Sequence, residues 1–176
     1  VTLTGRPKKA VVLARMTPNR TEGYHSVVEE LMRMGWEVTI AGNWRHPRAR
    51  SIGWTQAPSK LLHQAQLVIG TGRAVREGMA AGCVGLVLGD YLDGVVTPNN
   101  VRKLRHANFS GRATKRKPTP AEIQRELSEL SSTRLLSLMR FSRQYAKEHF
   151  DQKDMAIRHI QIYEEVLGRG KTVLNV

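Results

Sequence analysis

The chain is short of cysteine, aromatic residues, acidic residues and long apolar runs, and each shortage removes a class of protein. Cys83 is the only cysteine among 176 residues, which excludes an internal disulfide framework and fits a reducing compartment. Lying in an apolar run, it reads as a small core residue. Aromatic residues make up only 6% of the chain, too few to interleave with the basic residues as base-stacking platforms, so nucleic acid is a disfavoured partner. No apolar run approaches the roughly 20 residues that span a bilayer, and no secretory signal opens the chain, so a cytoplasmic protein is expected. Without such a signal, Asn19-Arg-Thr and Asn108-Phe-Ser match the glycosylation tripeptide by chance. The six histidines form no HxH or HExxH pattern, so no metal site is expected. No serine or cysteine stands in a GxSxG nucleophile elbow. The first residue is Val rather than Met, as expected of an excised piece of a longer chain.

What is abundant is positive charge. Lys and Arg number 28 against 15 Asp and Glu, a formal net charge of +13, which predicts attraction to an anionic partner. The excess is densest in "VRKLRHANFSGRATKRKPTP", residues 101 to 120. That run is either solvated surface or a contact for an anionic membrane or other polyanion.

Apolar patterning gives the fold class. "KKAVVLAR" (8 to 15), "WEVTIAG" (36 to 42), "QLVIG" (66 to 70) and "CVGLVLG" (83 to 89) read as buried strands of a parallel sheet, with "ARSIGW" a weaker strand and "GVVTP" a short one. Between them, "TEGYHSVVEELMRMG" (21 to 35), "APSKLLHQA", "GRAVREGMAAG" and "TPNNVRKLRH" read as helices, and a loop carrying Pro18 precedes the first. The alternation predicts an α/β, doubly wound parallel sheet over about residues 8–118. Residues 119 to 168 carry no strand signal and read as helices packed on the same domain, so 1–176 is taken as one domain. Asp151 is suited to cap the last helix and Gly168 to end it. Leu135, Leu138, Phe141 and Tyr145 form one apolar stripe, a core face.

Open α/β sheets bind ligands outside the carboxyl ends of their strands. That rule selects Arg15, Gly42, Trp54 and the stretch Gly70, Thr71, Gly72 and Arg73. The glycines allow close backbone approach, Thr71 offers a hydroxyl, and the amides opening the following helix favour an anion. A Gly-x-Gly turn also serves structure alone, and both readings stay open. Glu77, one helical turn beyond Arg73, is either a surface ion-pair partner or a carboxylate for two ribose hydroxyls. Arg15 and Arg20 flank "ARMTPNR", where two guanidinium groups could clamp a diphosphate and stabilise its departure, or remain two solvated arginines. Asp90 and Asp93 in "GDYLDG" could hold a sugar or a cation, although Asp beside Gly more often serves turn chemistry.

Several stretches together resemble the C-terminal, donor-binding half of a GT-B glycosyltransferase, nearest to the retaining enzymes of glycosyltransferase family 4. "ARMTPNR" places Arg15 and Arg20 at the separation of the family's G-R-L-x-x-x-K. "EGMAAGCVGLV", from Glu77, resembles E-A-M-A-x-G-x-P-V. "YLDGVVTPNNVRKL" resembles D-G-x-x-G-x-L-V with its following proline and helix, and "FDQKDMAIRHIQIYEEVL" (150 to 167) resembles the closing segment. The matches run in family order over nearly the whole chain.

The resemblance implies a Rossmann-like half of a GT-B enzyme that binds a nucleoside diphosphate sugar. By the matching positions, Arg15 and Arg20 meet the diphosphate, Glu77 the ribose, and Gly42 and Trp54 the nucleobase region. It implies transfer with retention, no cofactor and no metal, in a cleft against an N-terminal acceptor domain that this chain lacks. Departures accompany the likeness. Ile69 stands where the family pairs a second glutamate with that of Glu77, "IGTGRAV" replaces S-x-x-E-G-F-G, Arg20 replaces lysine and Ala14 replaces glycine. Two other readings compete: a basic α/β module for nucleic acid or polyanions, and a non-catalytic relative of the transferases.

Overall fold

The computed structural model describes residues 7–168, apart from the side chains of Gln152, Asp154 and Met155. Six strands form one sheet: β1 (Lys9–Ala14), β2 (Glu37–Gly42), β3 (Arg50–Gly53), β4 (Leu67–Gly70), β5 (Val84–Leu88) and β6 (Leu92–Val95). Their order is β3-β2-β1-β4-β5-β6. The first five are parallel, and β6 pairs antiparallel with β5. The edge strand therefore departs from the all-parallel sheet expected. The chain turns back directly through Gly89–Tyr91, where the Gly89 amide donates to the Tyr91 carbonyl at 3.0 Å. A tight reversal leaves no room for the crossover that a parallel neighbour needs.

Both faces of the sheet are covered, which explains the unbroken apolar strands. Successive residues point to opposite faces. Val12, Ile40, Ile69 and Leu86 pack with Tyr24, Val27, Val28 and Leu31 of α1 (Pro18–Arg33). Val11 and Val68 face the other way, onto Leu62 of α2 (Pro58–Leu62) and Cys83. Val87 packs with Val75 and Met79 of α3 (Arg73–Ala81) and with Val101 and Leu104 of α4 (Val101–His106).

Pro18 is the first residue of α1 rather than part of a stiffened loop. At that position the missing amide proton costs nothing, because the first-turn amides have no intrahelical acceptor. The consequence is functional: Arg20 sits on the first turn of a helix and Arg15 on the loop before it.

The C-terminal segment wraps the sheet. Thr119 caps α5 (Pro120–Ser128) by accepting from the Glu122 amide, and α5 lies against α1. Helix α6 (Ser132–His149) crosses from one face to the other: Leu135 and Leu138 join the α1 layer, whereas Tyr145 and Ala146 join the α3–α4 layer. Asp151 caps α7 (Gln152–Val166) through the Lys153 amide. Gly168 follows its end at φ 66°, as its suitability as a helix stop predicts. Every described side chain of α7 is exposed, including Ile157, Ile160, Tyr163 and Val166, so α7, unlike α5 and α6, leaves its described apolar residues unburied.

Candidate functional site

The sheet order reverses between β1 and β4, the place where open α/β sheets form a ligand crevice at their carboxyl ends. A cleft of about 340 Å³ lies there. Its walls are Leu13, Ala14 and Arg15 at the end of β1 and Ala41 of β2, then Trp54 to Gln56 and Pro58 after β3, and Arg73, Ala74 and Glu77 of α3. Four residues selected from sequence, Arg15, Trp54, Arg73 and Glu77, thus share one cavity although they come from three separate segments.

Each is presented for a local reason. Arg15 follows the last residue of β1, is exposed, and has no ion-pair partner among the described residues. Trp54 follows Gly53 and stays 69% exposed at the lip, an apolar plane left in water. Arg73 Nε donates to Glu77 Oε1 at 2.6 Å, an i,i+4 pair on the cleft side of α3. Arg73 is largely exposed and Glu77 one-third exposed, so the pair is held loosely and either partner can turn to a ligand. Gly42 closes β2 opposite Ala14. Its φ is +151°, and an added Cβ would lie 2.1 Å from the Ala14 carbonyl oxygen. Only glycine lets the backbone there approach so closely.

The Gly-Thr-Gly stretch behaves as a turn. Gly70 ends β4, and Gly72 precedes α3 at φ 51° and ψ −115°, which favours glycine. The Gly72 amide donates to the Phe109 carbonyl at 2.8 Å. Gly70, Thr71 and Gly72 do not line the cleft. The loop is docked on the turn after α4, where Asn108 and Phe109 both take positive φ, and one of its amides is already engaged there.

Arg20 lies outside the cleft as well. Its Nε donates to Asp90 Oδ1 at 2.7 Å. Asp90 Oδ2 accepts from Arg112 Nε at 3.0 Å and Nη2 at 2.7 Å. The hydrogen bond from Arg20, followed by that from Arg112, holds the Asp90 carboxyl below the usual carboxylate range. Arg15 and Arg20 therefore do not converge on one cavity; Asp90 ties Arg20 to the β5–β6 turn. Asp93 organises the next loop, accepting from the Ala113 and Thr114 amides at 3.1 and 2.9 Å. The basic run is partly consumed within the fold, since Arg116 pairs with Glu122 and Glu126 at 3.0 and 2.6 Å.

Two features escaped the sequence reading. One is the Arg20–Asp90–Arg112 network, which joins residues far apart in the chain and leaves no spacing signal. The other is a cluster of His25, Glu29 and His46 outside the cleft. Its only sequence trace is the i,i+4 spacing of His25 and Glu29, which a search for HxH or HExxH passes over.

No family model matches the chain, and no curated protein sequence is similar to it. Solved structures are similar in fold. A glycosyltransferase from Rickettsia africae ESF-5 superposes with a TM-score of 0.61 at 15% identity, over 92% of this chain and 48% of that one. Anabaena Alr3699/HepE, solved in complex with UDP and glucose, gives 0.57 at 13% identity, over 92% and 48%. The calicheamicin glycosyltransferase CalG4 gives 0.54 at 17%, over 93% and 44%. The chain thus spans about half the length of each. Its six-stranded sheet and flanking helices have the fold of the C-terminal-type, Rossmann-like half of GT-B glycosyltransferases.

Proposed function

We propose that this chain is the donor-binding half of a retaining, family 4-like glycosyltransferase that takes a nucleoside diphosphate sugar and passes the sugar to an acceptor held by an N-terminal domain. The observation that carries the reading is the cleft at the sheet's switch point, where Arg15, Trp54, Arg73 and Glu77 meet on a fold shared with glycosyltransferases. In it Arg15 faces the diphosphate, and Glu77 accepts from the ribose hydroxyls, which frees Arg73 to turn to a phosphate oxygen. Trp54 and the close-packed Gly42 backbone flank the base. Gly70, Thr71 and Gly72 set the turn that aims α3 at the donor. Arg20, held by Asp90, adds positive potential behind the diphosphate as it departs. Guanidinium groups meet the phosphate charge, so transfer uses no metal and no cofactor. The chain by itself binds donor and transfers little.

No described helix is long and apolar enough to cross a membrane. We place the protein in the cytoplasm, with the exposed Arg102, Lys103, Arg105, Lys115 and Lys117 available to an anionic membrane surface.

The test is ligand-induced stabilisation across a panel of UDP, GDP and ADP. UDP comes first because one similar structure carries it. A nucleotide at about 100 times its Kd stabilises the chain by about 2.7 kcal/mol, visible as a rise in Tm. Arg15→Ala and Glu77→Ala should each abolish that rise while leaving the ligand-free Tm in place. If no nucleotide shifts Tm and DNA binds with a steep salt dependence, the chain is a polyanion-binding module instead. One observation favours a non-catalytic relative: Ile69, where the family's paired glutamate would stand, is fully buried. Nucleotide binding with no sugar transfer after an acceptor domain is supplied would select that reading.

A further inference from the structure

His46 lies in the β2–β3 connection and is 3% exposed. A buried imidazole needs partners for both ring nitrogens. Its Nδ1 accepts from the Arg48 amide over a long 3.3 Å. Its Nε2 lies 3.0 Å from Glu29 Oε1 without hydrogen-bond alignment, and it has no hydrogen-bond partner among the described residues. His25 stands one turn before Glu29 on α1, and its ring centroid is 4.6 Å from that of His46. The ligand atoms of His25, Glu29 and His46 all lie within 4.8 Å of one another.

We propose that His25, Glu29 and His46 form a binding site for a divalent transition-metal ion of the zinc class, separate from the donor cleft and independent of its assignment. Two imidazoles and one carboxylate suit zinc, which also accepts a water in an open fourth position. Bonds of about 2.0–2.1 Å to a tetrahedral ion place ligand atoms roughly 3.3 Å apart, so the cluster must contract. Glu29 and His46 are already that close, and His25 is exposed and free to rotate inward. Glu29 Oε2 accepts from Arg48 Nη1 at 2.7 Å, which leaves Oε1 for the ion and orients the carboxylate from behind. Occupancy has a cost: the proton on Nε2 must move to Nδ1, and the long contact from the Arg48 amide to Nδ1 is given up. The ion would tie the β2–β3 connection to α1. That connection also holds the loop before α1, since the Met16 amide donates to Asn43 Oδ1 at 2.6 Å.

The experiment uses the full chain after chelator treatment. Co2+ is titrated and followed by its visible absorption, and Zn2+ is titrated against Tm. One equivalent of Co2+ should bind with the intense bands of a four-coordinate site, and Zn2+ should raise Tm. His25→Ala, at an exposed position, should leave the metal-free Tm unchanged and weaken binding by more than about tenfold. Glu29→Gln should do the same to affinity, so the test does not depend on a folded His46 variant. His63→Ala, at an exposed histidine elsewhere, should bind as the parent does. The proposal is overturned if the parent binds neither ion, or if His25→Ala and Glu29→Gln bind as tightly as the parent does.

Discussion

Replacing Asp90 with asparagine isolates the network that holds Arg20. Asp90 accepts three charge-assisted hydrogen bonds, one from Arg20 and two from Arg112. The two arms are not equivalent. The Arg112 side chain is 66% exposed, so its arm is a surface pair of about 0.2–1 kcal/mol. The Arg20 and Asp90 side chains are 20% and 29% exposed. A hydrogen bond to a charged group is worth about 1.5–3 kcal/mol, and partial solvation reduces this arm to about 1–2 kcal/mol. Asp90→Asn should therefore lose about 2 kcal/mol at neutral pH, and it turns an amide group toward a guanidinium.

The pH dependence has a definite sign. The folded-state pKa of Asp90 is depressed, so its contribution is fully present above the unfolded value of about 3.9. It is lost as pH falls through the lower folded value. Urea unfolding followed by tryptophan fluorescence should show a gap in midpoint between parent and variant at pH 7 that closes in acid. Other carboxylates titrate in both proteins and cancel in the difference. Equal midpoints at pH 7, or a gap that persists unchanged at pH 3, would refute the assignment. A double-mutant cycle with Arg20→Gln should show the two changes to be non-additive.

Gly42→Ala places a methyl group 2.1 Å from the Ala14 carbonyl oxygen at φ +151°. It should lower the urea midpoint by the equivalent of about 2 kcal/mol or more; an unchanged midpoint would mean that β1 and β2 can separate freely there. Cys83 is buried, with its Sγ against the Leu62 and Ala65 carbonyls at 3.2 and 3.4 Å, and burial pushes its thiol pKa up to about 12. Thiol reagents at pH 8 should label it only as fast as the chain unfolds, and labelling of the native protein at the denatured rate would contradict that burial.

The strands were legible because a sheet covered on both faces demands continuous β-branched and aliphatic runs, as in "AVVLA" and "LVIG". The cleft was legible through one geometric rule: Arg15, Trp54 and Arg73 follow the carboxyl ends of strands, and Glu77 lies one helical turn beyond Arg73. What failed to show were features decided by distant partners. The direction of β6 depends on a turn stitched to later loops, with the Tyr91 amide donating to Gly111 and the Leu92 amide to Arg116. Arg20 has the spacing of a diphosphate ligand, yet its orientation is set by Asp90, which no local pattern couples to it. Pro18 reads as a loop residue from sequence but begins α1, because proline suits a loop and the first position of a helix equally well.

Ile69 and Gly72 bear on the proposed donor-domain reading, since they stand where the resemblance to glycosyltransferase family 4 breaks down. Strand periodicity turns Ile69 toward α1, where it packs with Val12, Ile40 and Leu86. A carboxylate on that side chain would be buried in an apolar layer with no cation to pair it, which is strongly unfavourable. The Gly-Thr-Gly turn lies outside the cleft lining, with its Gly72 amide taken by Phe109, and of the following residues Arg73 reaches the cleft. On the donor-domain reading, the groups facing the nucleotide are present, whereas the second family carboxylate has no counterpart on β4 or its following loop. On that reading nucleotide binding and sugar transfer are separable, and an acidic group able to restore transfer would come from outside β4 and its following loop.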